Sequence, residues 1–108
     1  MSKSDKLFKD LGYECEVKPI INGGSFDFGY YHNYIHTHYS ECDGCTTEYI
    51  KEISFLNHIK KPENNAIMVQ SKYKCDYYDN YEYDRYVHLD VNEIQAIYEK
   101  AKELGWNE

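Results

Sequence analysis

The sequence contains no cluster of basic residues and no long apolar run. Of its 108 residues, 12 are lysine or arginine and 19 are aspartate or glutamate, which gives a formal net charge of −7. Nucleic acids are bound by basic surfaces, so direct binding of nucleic acid is not expected. No apolar segment approaches the ~20 residues of a membrane-spanning helix, and residues 1–5 do not open a signal peptide. We therefore expect a cytoplasmic protein that contacts neither nucleic acid nor membrane.

The sequence also lacks the motifs of common catalytic sites. It has no Gly-rich phosphate loop, no nucleophile elbow and no recognisable pair of catalytic carboxylates. We therefore do not expect an enzyme. The acidic charge suits a partner protein with a basic surface.

The length and composition predict one domain over residues 1–108, with 42% hydrophobic residues to form a modest core. The four cysteines are Cys15, Cys42, Cys45 and Cys75. Because disulfides are rare in the cytoplasm, we expect these thiols to be reduced or metal-bound.

The C-terminal segment predicts an amphipathic helix. Asp90 and Glu93 have the spacing of a capping box, and Gly105 stands where a left-handed residue ends a helix, with Trp106 free to fold back. Apolar residues at helical spacing predict the face that packs on a sheet. They are Ile94, Ile97, Tyr98, Ala101 and Leu104.

The rest of the chain predicts that sheet. A short N-terminal helix ends at Gly12, and Asp43-Gly44 is a favoured two-residue hairpin turn between long strands. The predicted strands cover residues 13–21, 26–42, 45–56, 66–73 and 86–89, with a turn at 22–25. The Asp43-Gly44 turn predicts a register in which His38 lies opposite Tyr49 and Tyr34 opposite Ile53. The fold class is α+β: a short N-terminal helix, a three- to five-stranded mostly antiparallel sheet, and the C-terminal helix packed on one face.

A cluster of histidines and cysteines at the hairpin offers a possible zinc site. Its four candidate ligands are His36, His38, Cys42 and Cys45. Zinc ligands must converge on one ion, whereas His38 and Cys42 would be about 13 Å apart in a regular strand. A zinc-stabilised module therefore requires a bent hairpin tip, and an ordinary turn with free cysteines stands as the alternative.

His58, followed by Pro62, Asn64 and Asn65, has a faint similarity to an HNH nuclease. That chemistry needs a general-base histidine and further metal ligands on a following helix. The segment after His58 predicts a strand, so a metal-dependent nuclease is a minor alternative, and a loop histidine is the simpler interpretation.

A run of tyrosines and carboxylates between residues 76 and 86 is the candidate partner-binding surface. Tyrosine is common at protein interfaces, and carboxylates complement a basic partner. The predicted contact residues are Asp76, Tyr77, Tyr78, Asp79, Tyr81, Glu82, Tyr83 and Asp84. The alternatives are a solvated loop whose tyrosines cover the sheet, and a homodimer.

Residues 6–14, 51–55 and 92–106 resemble parts of small uncharacterised accessory proteins of phages and prophages of Gram-positive bacteria. The similarity covers about a third of the chain, and neither the His/Cys hairpin nor the Tyr/acid run belongs to it. The resemblance implies an accessory protein acting in the host cytoplasm. By analogy with anti-CRISPR proteins, it implies an inhibitor of a host protein such as a nucleic-acid-binding defence effector.

Overall fold

The computed structural model describes residues 2–20 and 28–106, except for the side chain of Cys42. The predicted turn at 22–25 and the first two residues of the predicted strand 26–42 lie outside the described residues. In chain order the elements are α1 (Lys3–Asp10), β1 (Glu14–Pro19), β2 (Tyr30–Cys42), β3 (Cys45–Asn57), a 3₁₀ turn (Pro62–Asn64), β4 (Ala66–Cys75), β5 (Glu82–Tyr83) and α2 (Val91–Glu103). The strands form an antiparallel sheet in the order β1-β2-β3-β4-β5. The predicted α+β class is confirmed.

The hairpin of β2 and β3 has the predicted turn and register. Asp43 and Gly44 both have positive φ, 53° and 77°, as a two-residue turn with the twist of the flanking strands requires. Tyr34 lies opposite Ile53, and His38 lies opposite Tyr49. The alternation therefore places Tyr34 and Ile53 on the same face of the sheet.

Both helices end in the same way. The amide of Tyr13 donates to the carbonyl of Phe8, and the amide of Trp106 donates to that of Ala101, each at 3.0 Å. The intervening Gly12 and Gly105 have φ of 92° and 76°. This six-to-one hydrogen bond around a left-handed residue is the Schellman motif. At the other end of α2, the capping box of Asp90 and Glu93 is present as predicted.

The two helices cover one face of the sheet, which we call the helix face. The core between the layers is mainly aromatic: Phe8 of α1 stacks on Tyr34 of β2 at 3.9 Å between ring centroids, and both are buried. Phe55 packs against both rings in T-shaped arrangements and also lies against Trp106. On the opposite face, here called the open face, no helix lies among residues 2–20 and 28–106.

The buried side of α2 differs from the predicted one. Glu93, Ala96 and Lys100 are buried, whereas Ile94 and Tyr98 are 53% and 51% exposed. The helix is rotated because its buried charges have partners: Glu93 bonds to Lys51, and Lys100 lies 3.9 Å from Asp5. Ile97 and Leu104 pack against the core as expected.

The last strand is also displaced from its prediction. β5 is Glu82–Tyr83 rather than residues 86–89. After Asp84 the chain leaves the sheet, and the carbonyl of His88 accepts a hydrogen bond from Lys51 of β3. Residues 84–90 therefore cross to the start of α2 instead of extending the sheet.

Within the described residues, neither helix is long and apolar enough to cross a membrane.

Candidate partner-binding site

Residues 76–86, which we call the tyrosine loop, leave the sheet at the end of β4 and return as β5. The first end of the loop is fixed to β3. Cys75 forms a disulfide with Cys45. Beside it, the Asp76 amide donates to the Thr46 carbonyl and the Asp76 carboxylate accepts from the Thr46 amide, both at 3.1 Å.

The returning part of the loop is fixed to β4. Glu82 and Tyr83 pair with Tyr73 and Lys72. One residue on, Asp84 bonds to Ser71 twice: its amide donates to the Ser71 carbonyl at 2.9 Å, and its carboxylate accepts from the Ser71 hydroxyl at 2.6 Å. Two of the predicted contact carboxylates, Asp76 and Asp84, therefore also hold the loop in place.

Tyr81 fixes the middle of the loop to the open face. Its ring lies over the ammonium groups of Lys72 and Lys74, at 4.8 and 5.1 Å from the centroid. Its hydroxyl donates to Glu48. This hydrogen bond lowers the pKa of Glu48 and raises that of Tyr81, because it favours the ionised carboxylate and the neutral phenol.

The other tyrosines of the loop do not cover the sheet. Tyr77, Tyr78, Tyr83 and Tyr86 are between 63% and 75% exposed. Asp79 and Glu82 are exposed as well, and among the described residues neither has a cationic partner. The basic side chains beneath the loop are engaged, since Lys72 also pairs with Glu52 at 3.4 Å. The loop therefore presents aromatic rings and unpaired negative charge to solvent.

An aromatic row continues this surface across the helix face. His38 stacks on Tyr49 at 5.1 Å between ring centroids, and Tyr49 lies 6.0 Å from Tyr73. His38 and Tyr49 are exposed because the helices do not reach this end of the sheet. Between the row and the loop is a cavity of about 450 Å³, lined by Tyr73, Lys74, Cys75, Tyr78, Asn80 and Glu82. The hairpin register that the sequence predicts places His38 opposite Tyr49. The position of Tyr73 beside Tyr49 depends on the register between β3 and β4, which the sequence did not predict.

The predicted zinc ligands are separated by other interactions. Cys45 is bonded to Cys75, so the expectation of reduced or metal-bound cysteines is wrong for this pair. The antiparallel pairing of β3 with β4 causes this, because it brings Cys75 next to the start of β3. His36 packs against Tyr13 rather than toward Cys45.

Among the residues that the structure describes, no group of three or more His, Cys, Asp or Glu side chains could hold a metal ion. Of Cys42, only the backbone position opposite Cys45 is described. The hairpin tip is a regular two-residue turn and has no bend that would gather His38 and the cysteines.

His58 lies at the end of β3, where its backbone amide donates to the Asn65 side chain at 2.6 Å. Asn65 thus closes the turn before β4. This hydrogen bond uses the backbone of His58 and orders the turn, and the nuclease alternative stays a prediction from the sequence.

A polar cluster under α2 was not predicted from the sequence. Glu93 accepts hydrogen bonds from the Tyr13 hydroxyl, from Lys51 and from the Asp90 amide. Burial by itself would raise the pKa of Glu93, but these three bonds together lower it. Tyr13 has a raised pKa, first through burial and then through its bond to Glu93. All these groups are satisfied, which is typical of a cluster that holds the helix on the sheet.

A second cavity, of about 390 Å³, lies between α1 and β1. Cys15 lines it together with Phe8, Tyr13 and Tyr34. Burial and the nearby Asp5 carboxylate raise the pKa of the Cys15 thiol. A raised pKa keeps the thiol protonated and weakly nucleophilic, so this cavity does not have the character of a cysteine active site.

Comparison of the chain with models of known protein families, with curated proteins and with solved structures finds no significant match.

Proposed function

We propose that this chain is a non-enzymatic binding protein that engages the basic surface of another protein through the tyrosine loop and the adjoining aromatic row. The observation that carries the proposal is the exposure of four tyrosines on a loop attached to the sheet at three places, beside carboxylates that have no cationic partner among the described residues. A loop that only connects two strands through solvent does not need three attachments to the sheet. A loop already held in one conformation loses less conformational entropy when it binds.

Charge and aromatic groups would contribute differently to such a complex. Carboxylates such as Asp79 and Glu82 attract a basic partner and accelerate association. Tyrosines such as Tyr77 and Tyr78 would bury large, rigid rings in the interface and slow dissociation. A partner surface that normally holds a phosphate backbone would match this pattern, because it presents lysines and arginines.

Together with the resemblance to phage and prophage accessory proteins, this surface leads us to propose an inhibitor of a host protein. The proposed target is a nucleic-acid-binding defence effector of the CRISPR type, and the proposed place of action is the host cytoplasm. The inhibitor would occupy the basic surface and compete with nucleic acid for it.

The first experiment is capture of the target from nuclease-treated host lysate, followed by binding kinetics with the purified target. Asp79→Lys combined with Glu82→Lys should slow association about tenfold or more. Tyr77→Ala with Tyr78→Ala should mainly accelerate dissociation. Asp76 and Asp84 are left unchanged because their side chains hold the loop.

The matched control is Asp10→Lys combined with Glu14→Lys, two exposed carboxylates on the other side of the molecule. Both pairs change the net charge equally. Equal slowing by the two pairs would mean that only total charge matters. Unchanged kinetics in the loop variants would show that the loop is not the contact surface.

A further inference from the structure

The two edges of the sheet are built differently. β1 carries Glu14, Glu16, Lys18 and Pro19, and charges and proline are the usual means of preventing a sheet edge from pairing with another chain. At the other edge, β5 covers only Lys72 and Tyr73 of β4. Residues 66–70 of β4, with the sequence Ala-Ile-Met-Val-Gln, contain no charge and no proline. They pair with β3 on one side, and in the described structure no strand lies on their other side.

The hydrogen bond between Asp84 and Ser71 indicates which backbone groups of β4 point away from β3. The Ser71 carbonyl points outward, since it accepts from Asp84 beyond the edge. Because backbone groups alternate in direction along an antiparallel strand, Val69 and Ile67 also point their N–H and C=O groups outward. These four groups therefore have the arrangement that an added strand needs.

An exposed apolar flank of α2 lies on the same side of the molecule. α1 packs beside α2 through Lys3, Ser4 and Asp5, which contact Glu99, Glu103 and Lys100. α1 lies over β2 and next to β1, and α2 lies over the next strand, β3. The flank of α2 that is turned away from α1 therefore faces β4. Ile94 and Tyr98, the exposed residues at helical spacing, are on that flank.

From these features we propose that residues 66–70 of β4 and the Ile94/Tyr98 flank of α2 form a homodimer interface, in which β4 pairs antiparallel with β4 of a second copy. The result is a continuous ten-stranded sheet with a two-fold axis at Met68. The proposal is independent of the function proposed for the tyrosine loop.

The free edge is self-complementary in length and chemistry. With the axis at Met68, Ala66 lies opposite Gln70 of the second copy, so the pairing uses all five free residues and stops where β5 begins. Ile67 lies opposite Val69 of the second copy, and these outward-pointing pairs exchange four hydrogen bonds.

A second copy suits this interface better than an acidic or a basic partner. No charged side chain lies within residues 66–70, so like charges do not meet there despite the net charge of −7. The two α2 helices would face each other across three strand spacings, about 14 Å between the two β3 strands. Ile94 and Tyr98 from both copies would fill that gap, which gives the exposed flank a partner of its own kind.

The test is the molecular mass of the untagged full chain in solution as a function of concentration, by sedimentation and light scattering. The wild-type chain of 12.9 kDa should associate to a dimer. Met68→Lys should raise the dissociation constant at least tenfold, because it places two ammonium groups opposite each other on the axis. Val17→Lys is the matched control: Val17 is 47% exposed on the β1 edge, Met68 is 56% exposed, and the control should dimerise like the wild type.

A cross-link tests the register without destabilising the fold. Opposed residues that do not exchange hydrogen bonds have Cα atoms about 4.5 Å apart, which a disulfide can span. In a Cys15→Ser/Cys42→Ser background, which removes the two cysteines outside the Cys45–Cys75 pair, Met68→Cys should give disulfide-linked dimers on oxidation, and Val17→Cys should give far fewer. The proposal is overturned if the wild type stays monomeric at every concentration, if Met68→Lys associates as tightly as the wild type, or if the two cysteine variants cross-link equally.

Discussion

At the scale of single residues, Glu93 contacts three separate parts of the molecule, of which the sequence predicted only the capping box. It closes the capping box of α2 through the Asp90 amide. The same carboxylate binds Lys51 of β3 and Tyr13 at the end of the first helix. One side chain therefore fastens both helices to the sheet.

Replacement of Glu93 by Gln should lower the free energy of unfolding by about 1–3 kcal/mol at neutral pH, because Lys51 loses its charged partner. Native contacts lower the pKa of Glu93 below its ordinary value of 4.5. A lowered pKa stabilises the folded state above the unfolded pKa, and this stabilisation is lost as the pH falls through the folded pKa. The difference between wild type and Glu93→Gln should therefore shrink below pH 4.5.

Urea unfolding of both proteins across the acidic range measures this difference. Glu82→Gln serves as the control, since that exposed carboxylate has no cationic partner in the described structure, and it should match the wild type at each pH. A Glu93→Gln deficit that is as large in acid as at neutral pH would mean that charge plays no part.

At the scale of elements, the Cys45–Cys75 disulfide ties the start of β3 to the end of β4, thirty residues apart. A cross-link that closes such a loop restricts the unfolded chain and typically contributes about 2–4 kcal/mol. Reduction should therefore lower the free energy of unfolding by about that amount. The Cys45→Ser/Cys75→Ser variant should have the stability of the reduced protein and no response to reductant.

A non-reducing digest analysed by mass spectrometry should contain the linked peptides. Identical unfolding curves with and without reductant would contradict the prediction. Since disulfides persist mainly in oxidising compartments, the same digest on protein from freshly lysed cells would show whether the bond exists in the proposed cytoplasmic setting.

The two helix ends allow a comparison of glycines in the same motif. Gly105→Ala should cost about 1–2 kcal/mol, because φ is 76° and no atom lies within 4 Å of the added Cβ. Gly12→Ala should cost more, since its Cβ would also approach the His36 ring at 3.0–3.1 Å. Denaturant unfolding of both variants measures the order, and equal losses would show that His36 moves aside freely.

At the scale of the whole molecule, the helices cover only part of one face of the sheet. They leave exposed the aromatic row and the edge of β4. In the proposed dimer, Cys75 lies seven positions along the strand from the axis at Met68 in each copy, so the two tyrosine loops would lie roughly 50 Å apart at opposite ends of the sheet. Two such loops on one dimer would increase the apparent affinity for a partner with repeated basic sites, because both loops could bind at once.

Much of this architecture could be predicted from local sequence. The capping box at Asp90, the two glycine stops and the Asp43-Gly44 turn are chemical signals that act over a few residues, and once the turn is known the period of two determines the whole register of β2 and β3. The exposed tyrosines of residues 76–86 were likewise visible in the sequence as the candidate contact surface.

The sequence by itself determined the two helices with their ends, the long hairpin and its register, because these depend on backbone conformation and neighbouring side chains. It misplaced β5, whose position depends on pairing with β4. Only the tertiary structure decided the long-range partners. β4 beside β3 brought Cys75 to Cys45 and Tyr73 to Tyr49, and the charges of Glu93 and Lys100 turned α2 so that Ile94 and Tyr98 remained exposed. Such choices depend on which surfaces meet, and the sequence around each residue does not record what will lie opposite it.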